Sequence, residues 1–491
     1  MSGDRPIRLT WVQPEDLVGH ELRQAGEDGR GAQAAPIADR WHAAGGHDAP
    51  PRAGASPEPP APELRALAAE LLDELAGIPS PLPEPTGLAG IRAAASAWAA
   101  SGTPDSAATL ARPGSGVPDG AATLARVGSG APERPGAHPD ELGERLLGAW
   151  RGRAAGCVLG KPVEKIPRQG IREIAEATGN WPIRGWFTAE GLPAEVAARW
   201  PWNRRSAATS LAETLDGVPE DDDLNFPLLA LSLLERHGRG FTTADVAALW
   251  LEELPAGRVF TAERVAYRNL LDGLEPPRTA TWRNPFREWI GALIRADVYG
   301  WANPGDVRAA AEFAWRDARL SHTANGVYGA MMVAAMCARS LVVPSGDPAA
   351  AVEEVVAAGL SVVPAGSRLA RAVRDAVADA RAEPDFERVV DRLYERHGGL
   401  HWVHTVNNAA LVAAALTHGR GDFTASVAGA VAAGWDTDSA GATVGSIAGG
   451  LLGASRIPSG WALGDRLASS LRGFDGIGFD ELTRRTLAVA S

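Results

Sequence analysis

Apolar residues recur at helical spacing over most of the chain after residue 139. In successive segments they lie three and four positions apart, which favours amphipathic helices, and almost no segment alternates as a strand does. Short connections rich in Gly, Pro or Asn separate the segments, so the pattern predicts an all-α fold. The predicted helices are 142–159, 228–236, 243–253, 285–295, 307–319, 327–342, 350–359, 367–381, 386–398, 407–417, 423–433 and 440–452. The stretch 181–202, with four tryptophans and three prolines, is predicted to be an irregular loop.

The first 139 residues have a different pattern. Residues 1–60 are polar and rich in Gly, Pro and Ala, and are predicted to be mostly loop or disordered. Helical spacing predicts helices at 62–76 and 91–100. Residues 107–119 repeat as 121–133, and two Gly/Pro/Ser-rich copies are too few for a solenoid, so they indicate a linker. The chain therefore divides into a low-complexity, partly helical region, 1–139, and a globular domain, 140–491.

Composition narrows the class of function. A net charge of −12 and the lack of a basic stripe argue against direct binding of nucleic acid or an anionic membrane. With only Cys157 and Cys337, a disulfide framework is not expected and a cysteine metal site is excluded. No apolar segment is long enough to span a bilayer and the first residues lack a signal-peptide core, so we expect a cytoplasmic protein.

Two acidic motifs each precede an apolar or small-residue helix. One contains Asp436, Asp438 and Ser439, and the other is the run from Glu220 to Asp223. Carboxylate and hydroxyl oxygens suit a divalent cation such as Mg²⁺ or Mn²⁺. Capping aspartates on solvated turns are the alternative for both. The motifs lie some 210 residues apart, so a shared two-metal site requires the fold to bring them together.

Four further residues have side chains or backbone suited to chemistry. Glu164 follows a glycine-rich helix, although a lone glutamate is more often a surface carboxylate. Gly291, Arg295 and His322 are of types that contact phosphate through backbone N–H, guanidinium and imidazole groups. Salt-bridge or capping roles are the alternative for the last two.

In this order, the segments resemble the ADP-ribosylglycohydrolase family from about residue 140 to the C-terminus. The most specific motif is Gly434-Trp-Asp436-Thr-Asp438-Ser439-Ala-Gly-Ala-Thr-Val-Gly445-Ser-Ile-Ala-Gly449. The resemblance implies a compact orthogonal multi-helix domain with a pair of Mg²⁺ or Mn²⁺ ions in a central cleft. The metal ligands that it implies are Asp221, Asp222, Asp223, Asp436, Asp438 and Ser439. In the first cluster the two aspartate positions are Asp222 and Asp223, or Asp221 and Asp222 if the register shifts by one residue.

The function implied by the resemblance is metal-dependent hydrolysis of the glycosidic bond between ADP-ribose and an acceptor, either a protein side chain or a small molecule. Glu164 and Asp438 would be catalytic, and Gly291, Arg295 and His322 would hold the diphosphate. Two alternatives stay open: a glycosidase of a small nucleoside or nucleotide, and a non-catalytic ADP-ribose-binding module. Cys157 and Leu224 depart from the family pattern and bear on the substrate class more than on the metals. The linkage and the oligomeric state are left open.

Overall fold

The computed structural model describes residues 12–51, 53–56, 60–99, 139–344 and 346–490, and over these ranges it is an all-α structure. The only strand-like pairings within them are three isolated bridges. The helices are α1 (Pro14–Glu27), α2 (Gly31–Ala43), α3 (Pro62–Ala76), α4 (Leu88–Ala94), α5 (Ser96–Ala99), α6 (Pro139–Gly160), α7 (Arg168–Ala177), α8 (Ala194–Arg199), α9 (Ala207–Ser210), α10 (Asp222–His237), α11 (Thr243–Glu253), α12 (Thr261–Leu271), α13 (Arg278–Thr281), α14 (Asp297–Trp301), α15 (Val307–Ala318), α16 (Ala324–Ser340), α17 (Pro348–Ser361), α18 (Arg368–Ala382), α19 (Phe386–His397), α20 (Thr405–Gly419), α21 (Phe423–Ala432), α22 (Thr437–Leu452) and α23 (Phe479–Ala490). Short 3₁₀ turns include Lys161–Val163 and Ile290–Arg295. The predicted fold class is confirmed.

One predicted helix in the globular part is wrong. Residues 285–289 are not helical, and only Ile290–Arg295 forms a 3₁₀ turn. The backbone there pairs across the fold: Trp289 forms an antiparallel bridge with His404, and the Ile290 N–H donates to the Val403 carbonyl at 2.9 Å. These long-range backbone hydrogen bonds take the place of the local hydrogen bonds, four residues apart, that a helix would form. The stretch 181–202 is irregular as predicted, apart from the short α8.

The prediction that residues 1–60 are mostly loop is wrong for α1 and α2. Five of the nine buried residues of α1 are charged or polar, so its apolar periodicity is weak. Its order comes from partners far along the chain: Arg287 donates to Glu21 at 2.7 Å, and Gln24 donates to Glu288 at 3.1 Å. The duplicated linker, 107–133, lies outside the described residues.

Helices α6 and α22 pack antiparallel with their backbones in contact. A Cβ on Gly152 would lie 2.1 Å from the Gly445 carbonyl oxygen, and one on Gly156 would lie 1.9 Å from that of Gly441. Only glycine fits at such an approach. The same register continues to Gly160, which lies against the backbone of Thr437 and Asp438. The contact therefore fixes the end of α6 beside the start of α22.

Over the ranges given above, no helix combines the length and the apolar character needed to cross a bilayer.

Candidate metal centre

The end of α6 and the starts of α10 and α22 open into one cavity of about 1340 Å³. Acidic residues from several elements line it: Glu164, Glu220, Asp221, Asp222, Asp223, Glu263, Asp436 and Asp438. The two acidic motifs of the sequence therefore meet, as a shared site requires. Ser439 lines the same cavity.

Two groups of three carboxylates are close enough to hold a cation. Within each group the ligand oxygens lie within 4.8 Å of one another. We call them the outer trio, Glu164, Asp436 and Asp438, and the inner trio, Asp221, Asp223 and Asp438. Asp438 belongs to both, while Asp222 lines the cavity outside either trio.

The capping alternative holds for one motif and not for the other. Asp221 is the N-cap of α10, and its Oδ1 accepts the Asp223 N–H at 3.0 Å. Asp436 is the N-cap residue of α22, but its side chain makes no capping hydrogen bond. The Asp436 carboxylate is therefore free of the usual structural role of an N-cap aspartate and lies at the cavity wall.

The electrostatics of this cavity favour a bound cation. Burial, reinforced by neighbouring carboxylates, raises the pKa values of Asp222, Asp223 and Asp436 well above the ordinary range. The same causes raise the pKa of Asp438 to about 7. Among the described residues, neither Asp436 nor Asp438 forms an ion pair with a basic side chain. A donor set made of carboxylates fits Mg²⁺ or Mn²⁺, which prefer oxygen ligands.

Glu164 is held at the cavity by two neighbours. Its Oε2 accepts a hydrogen bond from Asn203 Nδ2 at 2.5 Å, and Lys165 Nζ lies 2.6 Å from its Oε1. Lys165 has a φ of 72°, and Trp435, which precedes Asp436, has a φ of 62°. Left-handed backbone at non-glycine residues is costly and clusters at functional sites. Of the six non-glycine residues with positive φ among the described residues, Lys165 and Trp435 each adjoin a candidate ligand.

Asp223 is fixed by Arg153, which the sequence analysis did not single out, and by Ser439, which it did. Arg153, fully buried in α6, lies 3.3 Å from Asp223 Oδ1 and 2.8 Å from Asp297 Oδ2. The Ser439 hydroxyl donates to Asp223 Oδ2 at 3.0 Å. The available signal was an arginine directly before the small residues that end α6, because a buried guanidinium requires a carboxylate partner.

The three predicted phosphate-binding residues differ in whether they line the cavity. Gly291 lines the cavity and faces Glu263, where a Cβ would lie 2.0 Å from a carboxylate oxygen. Arg295 is 1% exposed and forms ion pairs with Glu263, at 2.6 Å, and with Asp317. His322 is fully buried, and burial lowers its pKa well below the ordinary value. Neither Arg295 nor His322 lines the cavity, so their contact with a diphosphate stays a prediction, and both lie behind Glu263.

Aromatic and basic side chains form the remaining cavity wall. They include Trp200, Trp202, Trp289, Trp402, Phe260, Arg204, Arg205 and Arg264. The centre of the Phe260 ring lies 6.0 Å from the guanidinium carbon of Arg205 and 5.5 Å from that of Arg264. Such a wall offers stacking surfaces and positive charge to a planar or anionic ligand. Ala53, from the N-terminal region, also contributes to the lining.

The class of protein is therefore an all-α fold around an acidic cavity with carboxylates close enough together to hold a cation. The sequence then identifies the family: residues 138–485 match the family model described as ADP-ribosylglycohydrolase, and the chain belongs to that family. The general activity of this family is the hydrolysis of glycosidic bonds. Members of the family are typically metal-dependent and act on ADP-ribosylated substrates.

Solved structures and curated proteins give two further comparisons. A solved structure described as an ADP-ribosylglycohydrolase-related protein complex is 22% identical, covering 72% of this chain and 98% of that chain, with a TM-score of 0.43. That score adds no support, and the family membership rests on the sequence match. No curated protein matches the chain in a sequence search.

Proposed function

We propose that this protein hydrolyses the glycosidic bond between ADP-ribose and an acceptor, with a divalent cation, Mg²⁺ or Mn²⁺, bound at the acidic cavity. The observation that supports the proposal is the outer trio. In it, ligand oxygens of Glu164, just after α6, and of Asp436 and Asp438, at the start of α22, lie within 4.8 Å of one another. The acceptor is a protein side chain or a small molecule.

In the proposed mechanism, the chain's own carboxylates position the ion and the sugar. Asp436 and Asp438 would hold the ion together with Glu164, and Ser439 and Asp222 lie at the same wall. When bound, the ion would neutralise charge and lower the pKa of a coordinated water. Asn203 and Lys165 orient Glu164 toward its task as general base or acid.

Proton movements follow from this arrangement. A water adds to the anomeric carbon as its bond to the acceptor breaks, and Glu164 takes the proton that the water loses. The same proton can return to the departing nitrogen or oxygen of the acceptor. The surrounding carboxylates stabilise the positive charge that develops on the sugar. Trp and Arg side chains of the wall would face the adenosine diphosphate.

The test measures free ADP-ribose released from arginine-ADP-ribosylated and serine-ADP-ribosylated proteins, with Mg²⁺, Mn²⁺ or EDTA. We expect release that requires the cation, and loss of at least about 100-fold in the Asp438→Ala variant, which removes the carboxylate shared by both trios. Asp422→Ala is a matched control, because Asp422 is an exposed N-cap aspartate of α21 away from the cavity.

The outcomes separate the alternatives. Cation-dependent release that disappears in Asp438→Ala and persists in Asp422→Ala supports the proposal and names the linkage. Unchanged release in Asp438→Ala contradicts the site. If no protein substrate is cleaved but a free nucleoside or nucleotide is, the substrate is a small molecule. Stabilisation by ADP-ribose without turnover would leave only a binding module.

A further inference from the structure

Lys161 places a buried positive charge at the inner trio. It begins the 3₁₀ turn that follows α6, and its side chain is only 7% exposed. Its Nζ donates to the Glu220 carbonyl at 2.8 Å and to Asp221 Oδ2. A buried ammonium is stable only when such partners compensate for lost hydration, so the amine is fixed at the cavity wall.

The oxygens of Asp221 and Asp223 are already engaged by protein donors. Asp221 Oδ1 accepts the Asp223 N–H, and its Oδ2 accepts from Lys161. Asp223 Oδ1 pairs with Arg153, and its Oδ2 accepts from Ser439. Each carboxylate oxygen of Asp221 and Asp223 therefore already accepts from a protein donor. A cation bound there would share these oxygens with the donors and would lie beside a fixed ammonium, which repels it.

The outer trio differs in its charged neighbours, although Glu164 Oε2 accepts from the neutral amide of Asn203. Among the described residues, Asp436 and Asp438 have no basic partner within ion-pair distance. The one lysine at Glu164 is Lys165, whose side chain is 38% exposed and can turn into solvent. A divalent cation can bind there without displacing a buried charge.

We propose that the Lys161 ammonium takes the place of a second divalent ion, so that this chain binds one ion, at Glu164, Asp436 and Asp438, instead of a pair. The inference rests on the proposed metal centre and departs from the two ions implied by the family resemblance. The inner trio is then a structural ion-pair network that holds Asp221 and Asp223 in place.

The experiment counts Mn²⁺ bound to the metal-free full-length protein, by equilibrium dialysis with elemental analysis and by electron paramagnetic resonance. We expect one ion per chain in the wild type, and two in Lys161→Met and Lys161→Gln, which remove the charge and respectively keep the length or an N–H donor. Arg381→Met is the control and keeps one ion, because Arg381 is exposed, pairs with Glu353 and does not line the cavity. Circular dichroism verifies that each variant is folded.

Two ions in the wild type, or a single ion in folded Lys161 variants, would overturn the inference. If neither variant folds, the wild-type resonance spectrum decides, since paired ions about 3.5–4 Å apart are magnetically coupled and a single ion is not. A wild type that binds no ion removes the metal-dependent function itself, whereas a wild type with two ions removes only the role given to Lys161.

Discussion

Replacing Gly156 with alanine tests whether the contact between α6 and α22 carries the fold. The new Cβ would lie 1.9 Å from the Gly441 carbonyl oxygen and 2.3 Å from its carbon. Both are backbone atoms near the middle of a helix and cannot rotate away. The variant therefore folds only if the two helices separate.

The magnitude follows from two opposing terms. Overpacking a well-packed interface costs about 1–3 kcal/mol, and the upper end applies because the obstacle is backbone. Alanine regains about 1 kcal/mol of helix propensity relative to glycine. We expect Gly156→Ala to lower the free energy of unfolding by about 2 kcal/mol.

Gly143→Ala is the matched control on the same helix. The nearest heavy atom to a Cβ at Gly143 is Leu487 Cδ1 at 3.7 Å, which is ordinary van der Waals contact. That variant should gain about 1 kcal/mol, so the two should differ by about 3 kcal/mol in urea unfolding followed by circular dichroism. Equal unfolding free energies would refute the claim that backbone contact at Gly156 is essential. A weaker affinity for Mn²⁺ should accompany the loss, because the same contact positions Glu164 beside Asp436.

Two other predictions concern the N-terminal region. Arg368→Ala should lower the free energy of unfolding by about 3–5 kcal/mol in a urea titration, since it leaves the buried carboxylates of Glu84 and Glu288 without their cation. The control Arg381→Ala, which removes an exposed ion pair, should lower it by less than about 1 kcal/mol. Similar losses in the two variants would contradict the role given to Arg368. His20→Phe should make stability less sensitive to acid, because burial lowers the pKa of His20 to about 4 and wild-type stability therefore falls as the pH drops from about 6.5 toward 4. The free energies of unfolding at pH 5 and pH 7.5 should differ less in the variant than in the wild type. An unchanged difference would exclude His20 as a source of the acid sensitivity.

Apolar periodicity predicted many helices of the globular part, but it missed α7, α12 and α23. Spacing alone located α16, α18, α20 and α21 to within a few residues. It failed at 285–289, where the backbone bonds to a segment more than a hundred residues later. A pairing of that kind leaves no local signal, so no reading of periodicity could find it.

The N-terminal helices show a second limit. Glu21 and Gln24 in α1 are buried because Arg287 and Glu288 pair with them, and neither pairing is visible before the fold is known. Hydrophobic patterning predicts an element whose burial is apolar. It misses one whose burial is made of charge pairs.

The candidate site shows what residue types can and cannot predict. The two acidic motifs contain the aspartates of both trios, and Glu164 was singled out separately, since ligand chemistry depends on the kind of residue. Which donors already engage those carboxylates depends on position, and Lys161, Arg153 and Asn203 emerged only from the structure. Eight cavity carboxylates therefore do not amount to eight available ligands.

The geometry of the helix pair links fold and chemistry. Glycines at four-residue spacing let α6 and α22 touch along their length, and the contact ends where Gly160 meets the backbone of Thr437 and Asp438. Beyond that point the two backbone segments must turn away from each other, and the turns contain Lys165 and Trp435, whose backbones are left-handed. The carboxylates of Glu164 and Asp436 adjoin those turns. An insertion or a bulky side chain anywhere along the glycine contact should therefore alter the outer trio before it disrupts the rest of the fold.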